Sequence, residues 1–577
     1  MSKLTKALTA AAGNAGSDPL YVEDVFSTYL YTGTGSAMTI TNGVNLEDNG
    51  GIVWTKPRTS SGESHRLIDA DNSTILASDG TNAKLNGSLS VPQYYLQNNT
   101  DGFDLVGNIS VGSGVDYASW TFRKAEKFFD VQTWTGDSTA DRQISHNING
   151  TVGAIIIKQT SASGENWVVY HRSNGATGAL YLNDTRDFLT ADSFFNDTDP
   201  TSTNFTISNT YAVNRSGYSY VAYLFASDAG GFGDDGDENI IKCGSVTTDG
   251  SGDATVTLGF EPQWVMLKRT DGAGTWAILD TMRGYDHSSS KRLMPNVSDA
   301  EENYTGTNIL GVPTATGFTT SGPVLDANSD YIYIAIRRPM KTPESGTEVF
   351  AVDQASNSAA PKFRAPFAVD MAWYRLNVSG TESSIVADRL RGEKELNFDT
   401  TFSEGGLSAG KFDYMNGWNN LTGANSASYS WMLKRATGFM DAVAYSGTNG
   451  TISRNHNLGV APELMITKRR DSSSAWTVLS ELDGSSYSEM ALNSTTDKST
   501  RTYASNQYLT AQPTATVFAQ AASYDNESGG TYITYLFATL AGVSKVGSYT
   551  GTGSNVNVDC GFSAGARFIL IKRTDST

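Results

Sequence analysis

The chain has 577 residues, of which 42 are Lys or Arg and 60 are Asp or Glu, so its formal net charge is −18. This charge argues against a protein that binds nucleic acid or an anionic membrane surface, because phosphate groups are bound by clustered Lys and Arg. Apolar residues (39%) are numerous enough for folded cores, and two cysteines exclude a disulfide framework. We find no apolar run near the roughly 18 residues that cross a bilayer, and the length predicts about four domains.

The chain begins with a short segment, residues 1–28, that carries the best helical patterns. These patterns cover Leu4–Ala12 and Asp18–Thr28, where Asp18 and Pro19 suit the start of a helix. Elsewhere the chain lacks convincing helical periodicity.

A short apolar run that ends in a basic residue then recurs at steps of 93 to 110 residues. Such self-similarity is the mark of a repeat protein. The basic residues are Lys56, Lys158, Lys268, Arg375, Lys468 and Lys572.

A second run, rich in aromatic residues, follows each of the first five basic residues after 54 to 64 residues. It starts at Tyr117, Tyr218, Tyr331, Tyr429 and Tyr532. A turn of the type aromatic-x-Gly precedes several of the first runs, and Trp167, Trp276 and Trp476 follow three of the lysines. These features predict the following organisation: an N-terminal segment 1–28, copies at 29–130, 131–241, 242–341, 342–441 (divergent) and 442–547, and the start of a sixth copy at 548–577.

Each copy is predicted to be a β-sandwich. Its apolar runs are short, rich in Val, Ile, Tyr, Phe and Trp, and bounded by Gly, Asn, Asp and Ser, which is typical of strands. The fold class is therefore all-β: a tandem array of about five β-sandwich (jelly-roll or concanavalin-like) domains behind a short N-terminal segment. Alternation in Tyr331–Ile336 predicts one buried and one wet face. Short junctions predict a rod or arc of docked copies, and the acidic stretch 226–239 is predicted to be a flexible loop. The sixth copy either completes a neighbour or begins a longer chain, and we favour the second.

The residues that carry chemistry give few candidates. The basic residues are interpreted as a solvated lip over the core, and the tryptophans as core rather than sugar-stacking platforms. His146 and His456 occupy equivalent places and predict a structural hydrogen bond at a turn. No catalytic residues, metal site or cofactor are predicted, and the protein is not expected to be an enzyme. A weak candidate for Ca²⁺ is the acidic loop with Asp234, Asp235 and Asp237, although its spacing fails the EF-hand pattern.

Four segments carry a resemblance to a known family. They are Asp18–Gly33, Gly51–Lys56, Tyr220–Phe225 and Gly547–Gly553. The chain resembles virion structural proteins of marine tailed bacteriophages, especially cyanophages, with tandem sandwich repeats of the tail-fibre type.

The resemblance implies a tail fibre or tail-associated adhesin, made in the host cytoplasm and located in the virion, on the tail rather than the head. Its N-terminal segment would bind other tail or capsid proteins through Leu20, Tyr21, Val25 and Phe26, which would alternatively pack against the first sandwich. Distal copies would bind a glycan or protein of the host surface. A homo-oligomer is expected, with a trimer as one form. The alternatives are a head decoration or fibre protein, and a carbohydrate-binding lectin or depolymerase.

Overall fold

A computed structural model describes most of the chain. The described residues are 18–69, 71–72, 74–85, 94–107, 110–190, 194–322, 324–356, 360–375, 384–406, 412–419, 427–482 and 484–575. They form antiparallel sheets joined by turns and very short helices, so the predicted all-β array of sandwich domains is confirmed. In this part of the chain no helix is long and apolar enough to cross a membrane.

Copy 1 follows a short helix, α1 (Val22–Val25). Its strands are β1 (Phe26–Thr32), β2 (Met38–Thr41), β3 (Gly51–Pro57), β4 (Arg66–Asp69), β5 (Thr74–Ala77), β6 (Tyr94–Asn99), β7 (Gly102–Gly107) and β8 (Asp116–Arg123). The larger sheet has the order β1-β8-β3-β4-β5, and a smaller sheet, β2-β7-β6, completes the sandwich.

Copy 2 repeats this plan with a short helix before its last strand. Its elements are β9 (Phe129–Thr135), β10 (Arg142–Ser145), β11 (Val152–Gln159), β12 (Val168–His171), β13 (Gly178–Tyr181), β14 (Leu189–Thr190), β15 (Asn204–Ile207), α2 (Tyr211–Asn214) and β16 (Ser219–Ala226). The larger sheet is β14-β13-β12-β11-β16-β9 and the smaller one is β10-β15.

Copy 3 has a four-stranded larger sheet, β17-β25-β19-β20, with smaller sheets β18-β24-β23 and β21-β22. Its strands are β17 (Ile241–Thr247), β18 (Ala254–Thr257), β19 (Pro262–Arg269), β20 (Ala277–Asp280), β21 (Ser289–Arg292), β22 (Glu302–Thr305), β23 (Pro313–Thr314), β24 (Gly317–Thr320) and β25 (Asp330–Arg337). A single 3₁₀ turn, Gly306–Asn308, follows β22.

Copy 4, the divergent one, keeps the same sheet order, β26-β33-β28-β29-β30-β31, with the pair β27-β32. Its strands are β26 (Phe350–Gln354), β27 (Phe363–Arg364), β28 (Met371–Arg375), β29 (Ser384–Asp388), β30 (Lys394–Asn397), β31 (Gly405–Gly406), β32 (Gly417–Trp418) and β33 (Tyr429–Leu433). Two 3₁₀ turns are Gly346–Glu348 and Arg389–Arg391.

Copy 5 has the larger sheet β34-β41-β36-β37-β38-β39 and the pair β35-β40. Its strands are β34 (Met440–Ser446), β35 (Ile452–Asn455), β36 (Leu464–Arg469), β37 (Thr477–Ser480), β38 (Ser486–Ala491), β39 (Ser499–Thr502), β40 (Val517–Gln520) and β41 (Thr531–Phe537). A 3₁₀ turn, Tyr503–Ser505, follows β39. The segment that begins the sixth copy forms no strand within its described residues, 548–575.

One sheet order therefore explains both repeated signatures. In every copy the aromatic strand pairs with the opening strand on one side and with the strand that ends in a basic residue on the other. In copies 1, 2 and 5 the aromatic residue of the glycine turn stacks on the paired tyrosine of the aromatic strand. These pairs, with ring centroids 5.2 to 5.5 Å apart, are Tyr31–Tyr117, Trp134–Tyr220 and Tyr445–Tyr532.

A tyrosine hydroxyl also fixes the corner that leads into the aromatic strand. In four copies the hydroxyl accepts a hydrogen bond from the backbone N–H five residues upstream. The pairs are Tyr117 with Gly112 (3.0 Å), Tyr220 with Arg215 (2.8 Å), Tyr331 with Asp326 (3.0 Å) and Tyr532 with Glu527 (3.1 Å). In copy 2 the predicted signature began at Tyr218, two residues before the tyrosine that makes this contact.

In copies 1, 2, 3 and 5 the aromatic strand is buried on both faces, so the prediction of one wet face is wrong there; in copy 4 Tyr429 is 45% exposed. All six residues from Tyr331 to Ile336 are at most 5% exposed. One face packs on the small sheet of the same copy: Tyr333 belongs to the inner core of copy 3 with Phe318 and Val265. The other face packs on neighbouring copies, because burial of two faces requires a second partner.

The chain divides into two compact units. The first comprises residues up to 285, 289–313 and 317–340, and the second comprises 286–288, 314–316 and 341 onwards. The first unit thus contains copies 1, 2 and 3, and the second contains copies 4 and 5 with the segment 548–575.

Copies 1, 2 and 3 form a closed ring, in which each copy contacts the other two. Phe122 of copy 1 lies against Phe225 of copy 2 (5.6 Å between ring centroids) and against Trp264 of copy 3 (5.9 Å). His171 of copy 2 lies 3.1 Å from the carbonyl oxygen of Tyr333 in copy 3. Within this unit the prediction of a rod or arc is therefore wrong.

Two local predictions also need correction. The helix predicted over residues 18–28 is only Val22–Val25, because β1 begins at Phe26 and pairs with β8; the pattern over residues 4–12 lies outside the described residues. The acidic stretch is a folded connection rather than a free loop, since Phe232 is 1% exposed and packs on Phe128.

Candidate functional site

The repeated lysines face the neighbouring copies. In β19, Lys268 shares one face with Met266 and Trp264, whereas Val265 and Leu267 lie in the inner core of copy 3. Four lysines at this position have no exposed surface: Lys56, Lys158, Lys268 and Lys468. The prediction of a solvated lip is therefore wrong for these four lysines, because the face that each lysine occupies is covered by another copy, whereas Arg375 of copy 4 is exposed as predicted.

Each of these lysines binds backbone carbonyls of its own copy and of a neighbour. The Nζ atom of Lys158 donates to Glu165 O (2.9 Å) and to Thr81 O of copy 1 (3.3 Å). The equivalent contacts with a neighbouring copy are Lys268 to Thr185 O (3.1 Å), Lys56 to Ser298 O (3.2 Å), Lys468 to Thr401 O (3.4 Å) and Lys572 to Ser494 O (2.6 Å). We call each such contact a lysine joint.

A backbone hydrogen bond accompanies every lysine joint. The acceptor is the carbonyl two residues after the lysine, and the donor is an N–H of the neighbouring copy. The pairs are Lys84 N to Thr160 O (2.9 Å), Phe188 N to Thr270 O (3.0 Å), Glu301 N to Arg58 O (2.8 Å), Glu404 N to Arg470 O (2.7 Å) and Lys498 N to Thr574 O (3.0 Å). The first three join copies 1–2, 2–3 and 3–1, which closes the ring.

The register tryptophans belong to the same joints. Trp167 donates its indole N–H to Ala77 O of copy 1 (3.1 Å), Trp276 to Tyr181 O of copy 2 (2.9 Å), and Trp476 to Asn397 O of copy 4 (2.7 Å). They are at most 2% exposed. The prediction of buried rather than sugar-stacking tryptophans is confirmed.

Two joints contain a buried charge network. At the joint of copies 3 and 1, Glu301 pairs with Arg58 (2.9 Å) and with Arg283 (3.0 Å), which also binds Asp280 (2.6 Å). The joint of copies 4 and 5 repeats this arrangement with Glu404, Arg470, Arg391 and Asp388. Because each buried carboxylate is paired, the cost of its desolvation is offset.

Burial alters the acidity of the joint lysines. Loss of hydration lowers the pKa of Lys56, Lys158, Lys268 and Lys468 to about 8. The partners of Nζ are carbonyl oxygens and, for Lys468, also the Ser474 hydroxyl, so hydrogen bonds and not ion pairs hold these ammonium groups.

The segment 548–575 occupies the place next to copies 4 and 5 that copy 3 has in the first ring. Phe568 corresponds to Trp264 and packs on Phe350 of copy 4 at 5.7 Å between ring centroids. Trp264 packs in the same way on Phe26 at 6.2 Å. Much of the strand-forming run stays exposed, with Ile569 at 68% and Ile571 at 63%.

The residues predicted to anchor the N-terminal segment pack inside the first unit. Val25 is fully buried and Phe26 is 2% exposed, in contact with Phe122. Leu20 O accepts a hydrogen bond from Gly233 N, and Tyr21 OH donates to Asp234 Oδ1 (2.6 Å). Phe26 thus packs against the first sandwich, as the alternative interpretation has it, whereas Leu20 and Tyr21 contact the acidic stretch of copy 2. Anchoring through the whole segment stays a prediction.

The acidic loop does not gather its carboxylates. Asp234 receives the Tyr21 hydroxyl and Glu238 pairs with Arg337, so these oxygens serve internal contacts. Among the residues that the structure describes, no group of three or more His, Cys, Asp or Glu side chains is arranged to hold a metal ion. Asp234, Asp235 and Asp237 are therefore a wrong candidate within this part of the chain.

The two equivalent histidines have the predicted structural role. His146 Nδ1 accepts the N–H of Ile148 (3.2 Å), and His456 Nδ1 accepts the N–H of Leu458 (3.3 Å). Each turn lies before the strand that ends in a joint lysine.

Copy 2 contains a surface groove of about 400 Å³. We call it the tyrosine groove; its lining residues are Glu165, Asn166, Tyr181, Phe194, Asn209, Thr210, Tyr211 and Ala212. It lies beside the joint of Lys158, because Glu165 supplies a carbonyl to that lysine. Sequence analysis missed this groove, since its residues come from four separate segments of copy 2 without a motif.

Comparison with known proteins gives one family. The family model described as "Domain of unknown function (DUF7483)" matches residues 22–338 and 350–577. The chain belongs to the DUF7483 family. The first matched stretch spans the three copies of the ring, and the second spans copies 4 and 5 and the segment that follows. No curated protein and no solved structure matches the chain.

The sequence carried one unused signal for the joints of this DUF7483 protein. Successive residues of a strand point to opposite faces. Lys268 therefore lies on the same face as Trp264 and Met266, opposite the face that forms the inner core of the copy. When the strand face turned away from the inner core is also apolar, another part of the protein is expected to cover it. The solvated-lip interpretation did not consider this second face.

Proposed function

We propose that this DUF7483 protein is a non-enzymatic structural protein of a phage particle, a tail fibre or tail-associated adhesin. The observation that supports it most is the closed ring of three sandwiches, made by one chain with the same joint three times. The buried lysines, tryptophans and charge networks all serve to fix copies against one another. A rigid scaffold of this kind holds surface loops in place, as a receptor-binding protein requires.

The resemblance to virion proteins of marine tailed phages supports the location of this scaffold. Repeated copies also favour attachment, because several weak contacts made by one body act together. The homo-oligomer that the resemblance implies, with a trimer as one form, stays part of this proposal.

Antibody labelling of intact particles tests the proposal. Phage particles whose genome encodes this chain are labelled with antibodies against the first unit and examined by electron microscopy. We expect label on tail fibres or at the tail tip. Label confined to the head, or particles that lack the protein, would contradict the proposed role.

A further inference from the structure

The tyrosine groove brings two tyrosine rings together with polar side chains. Tyr181 lies at the end of β13 and Tyr211 begins α2, so the fold gathers them from positions thirty residues apart. A volume of about 400 Å³ falls within the range of about 300–1,000 Å³ for small-molecule pockets.

Arginines hold both rings in place. The guanidinium carbon of Arg186 lies 5.1 Å from the ring centroid of Tyr181, and that of Arg215 lies 4.4 Å from the rings of both Tyr211 and Tyr218. A cation on one face orders the ring and leaves the opposite face for another partner. Tyr211 is 60% exposed, so its free face is available before any ligand arrives.

The polar lining suits hydroxyl groups. Asn166 is oriented by Asn183, whose Nδ2 donates to Asn166 Oδ1 (2.9 Å). Glu165 brings a carboxylate and Asn209 an exposed amide to the same groove. Carboxylate and amide oxygens accept hydrogen bonds from hydroxyls, and amide nitrogens donate to them.

Charge selects among hydroxyl-rich ligands. The formal net charge of −18 and the Glu165 carboxylate oppose an acidic sugar. Arg186 is already paired with Asp184 (2.5 Å between Nη2 and Oδ2). An uncharged ligand with one apolar face and several hydroxyls fits both the rings and the polar groups.

We propose that the tyrosine groove of copy 2 binds a neutral saccharide, with the apolar face of one sugar ring on Tyr211 and its hydroxyls on Glu165, Asn166 and Asn209. This inference specifies the ligand class for the host-binding part of the proposed function. It rests on the proposed function only for the source of the saccharide, the host surface. A surface glycan is then the partner that the adhesin meets.

A glycan array tests the inference. The full chain is applied to an array of defined neutral and acidic oligosaccharides, and hits are measured by titration. We expect binding to at least one neutral oligosaccharide. The variants Tyr211→Ala and Asn209→Ala are expected to weaken it tenfold or more, because both side chains are exposed and their loss leaves the fold intact. Tyr429→Ala, at a 45% exposed tyrosine outside the groove, is the matched control and keeps wild-type binding.

Each other outcome overturns the inference. These outcomes are no binding to neutral sugars, binding to acidic sugars alone, and equal binding by the wild type and Tyr211→Ala. The labelling experiment above is independent: protein on the tail without sugar binding refutes the groove alone, whereas sugar binding by a protein absent from particles refutes the virion role alone.

Discussion

A lysine that donates to backbone carbonyls of two copies is the defining residue of the joints in the first unit. Lys158 has no exposed surface, and its Nζ connects Thr81 of copy 1 with Glu165 of its own copy. The ammonium group has three N–H donors, so it can donate hydrogen bonds to the carbonyl oxygens of two loops at the same time. Its cost is the loss of hydration, which lowers the lysine pKa to about 8.

This cost predicts a pH effect on Lys158→Met. Between pH 8 and about 10, the unfolded chain keeps a proton that folded Lys158 has released, so wild-type stability rises with pH relative to the variant. The slope is up to about 1.4 kcal/mol per pH unit. Urea unfolding at pH 7, 8, 9 and 10 measures it. Lys545→Met, at an exposed lysine, is the control, and a flat difference for Lys158→Met would contradict the prediction.

Asp525 predicts a pH effect in the opposite direction. Burial raises the pKa of this carboxyl of copy 5 to about 7, with Thr477 as a hydrogen-bond donor (3.2 Å). Between pH 4 and 7 the folded chain holds a proton that the unfolded chain has lost, so stability falls as pH rises.

Asp525→Asn removes this titration. We expect the variant to gain stability relative to the wild type from pH 4 to 7, by up to about 1.4 kcal/mol per pH unit, and to keep the gain at pH 8. Thermal unfolding across this range measures the difference. Asp497→Asn, an exposed carboxyl of the same copy, controls for the lost charge; parallel curves for Asp525→Asn would refute the assignment.

At the scale of the element, the aromatic strand is held by its first buried tyrosine. In copy 2 the Tyr220 hydroxyl accepts from Arg215 N and donates to Tyr211 O (2.7 Å), which ties the strand to the helix before it. A phenylalanine there keeps the ring stack with Trp134 and loses both of these hydrogen bonds and a third, which Gln159 Nε2 donates to the hydroxyl (3.1 Å).

Tyr220→Phe is expected to cost about 1–3 kcal/mol, since buried backbone groups lose their partner. Tyr218→Phe is the matched control: its ring holds Arg215, and it should cost less than about 0.5 kcal/mol. Urea unfolding of the two variants measures the contrast. If both variants lose the same free energy of unfolding, the hydrogen bond between the Tyr220 hydroxyl and the Arg215 N–H does not explain why position 220 is a tyrosine.

The strands themselves could be predicted from local pattern, but not which faces are covered. Alternation in Tyr331–Ile336 fixes which residues share a face, and the runs of Val, Ile and aromatic residues fix strand type. Burial of the second face depends on copies about a hundred residues away, and no local pattern encodes that distance. The short helix Val22–Val25 shows the same limit, because pairing of β1 with β8 ended a helical pattern at Phe26.

At the scale of the whole chain, the ring explains why three copies form one compact unit. Copy 2 contributes Lys158 and Trp167 to its joint with copy 1 and receives Lys268 and Trp276 from copy 3. A single copy would expose these partners to water, so the stability of each copy depends on the other two.

A fragment experiment measures this dependence. Residues 18–340 are expected to fold and to unfold in one cooperative transition, whereas residues 129–240 alone are expected to lack native near-ultraviolet circular dichroism. The physical reason is exposure of the outer face of β11 and β16, which the fragment cannot cover. An isolated copy 2 as stable as the three-copy fragment would contradict the account.

The sequence alone was enough to predict the repeated copies, but it was not enough to predict the tyrosine groove. The spacing of Lys56, Lys158 and Lys268 disclosed the copies, because repeats preserve buried positions. The groove depends on Glu165, Tyr181 and Tyr211. Glu165 follows Lys158 at the same spacing at which Glu63 follows Lys56, but that spacing does not indicate the two tyrosines, and only the fold brings the three residues together.

Three sandwiches joined within one polypeptide differ from a trimer of identical chains in how they can evolve. In a homotrimer every mutation appears three times, so a change that suits one surface is forced on all. Here each copy is encoded separately, and copy 2 carries a groove of its own while the joints stay alike. The surface residues of one copy can thus change by mutation while the lysine joints that hold the three copies together stay the same.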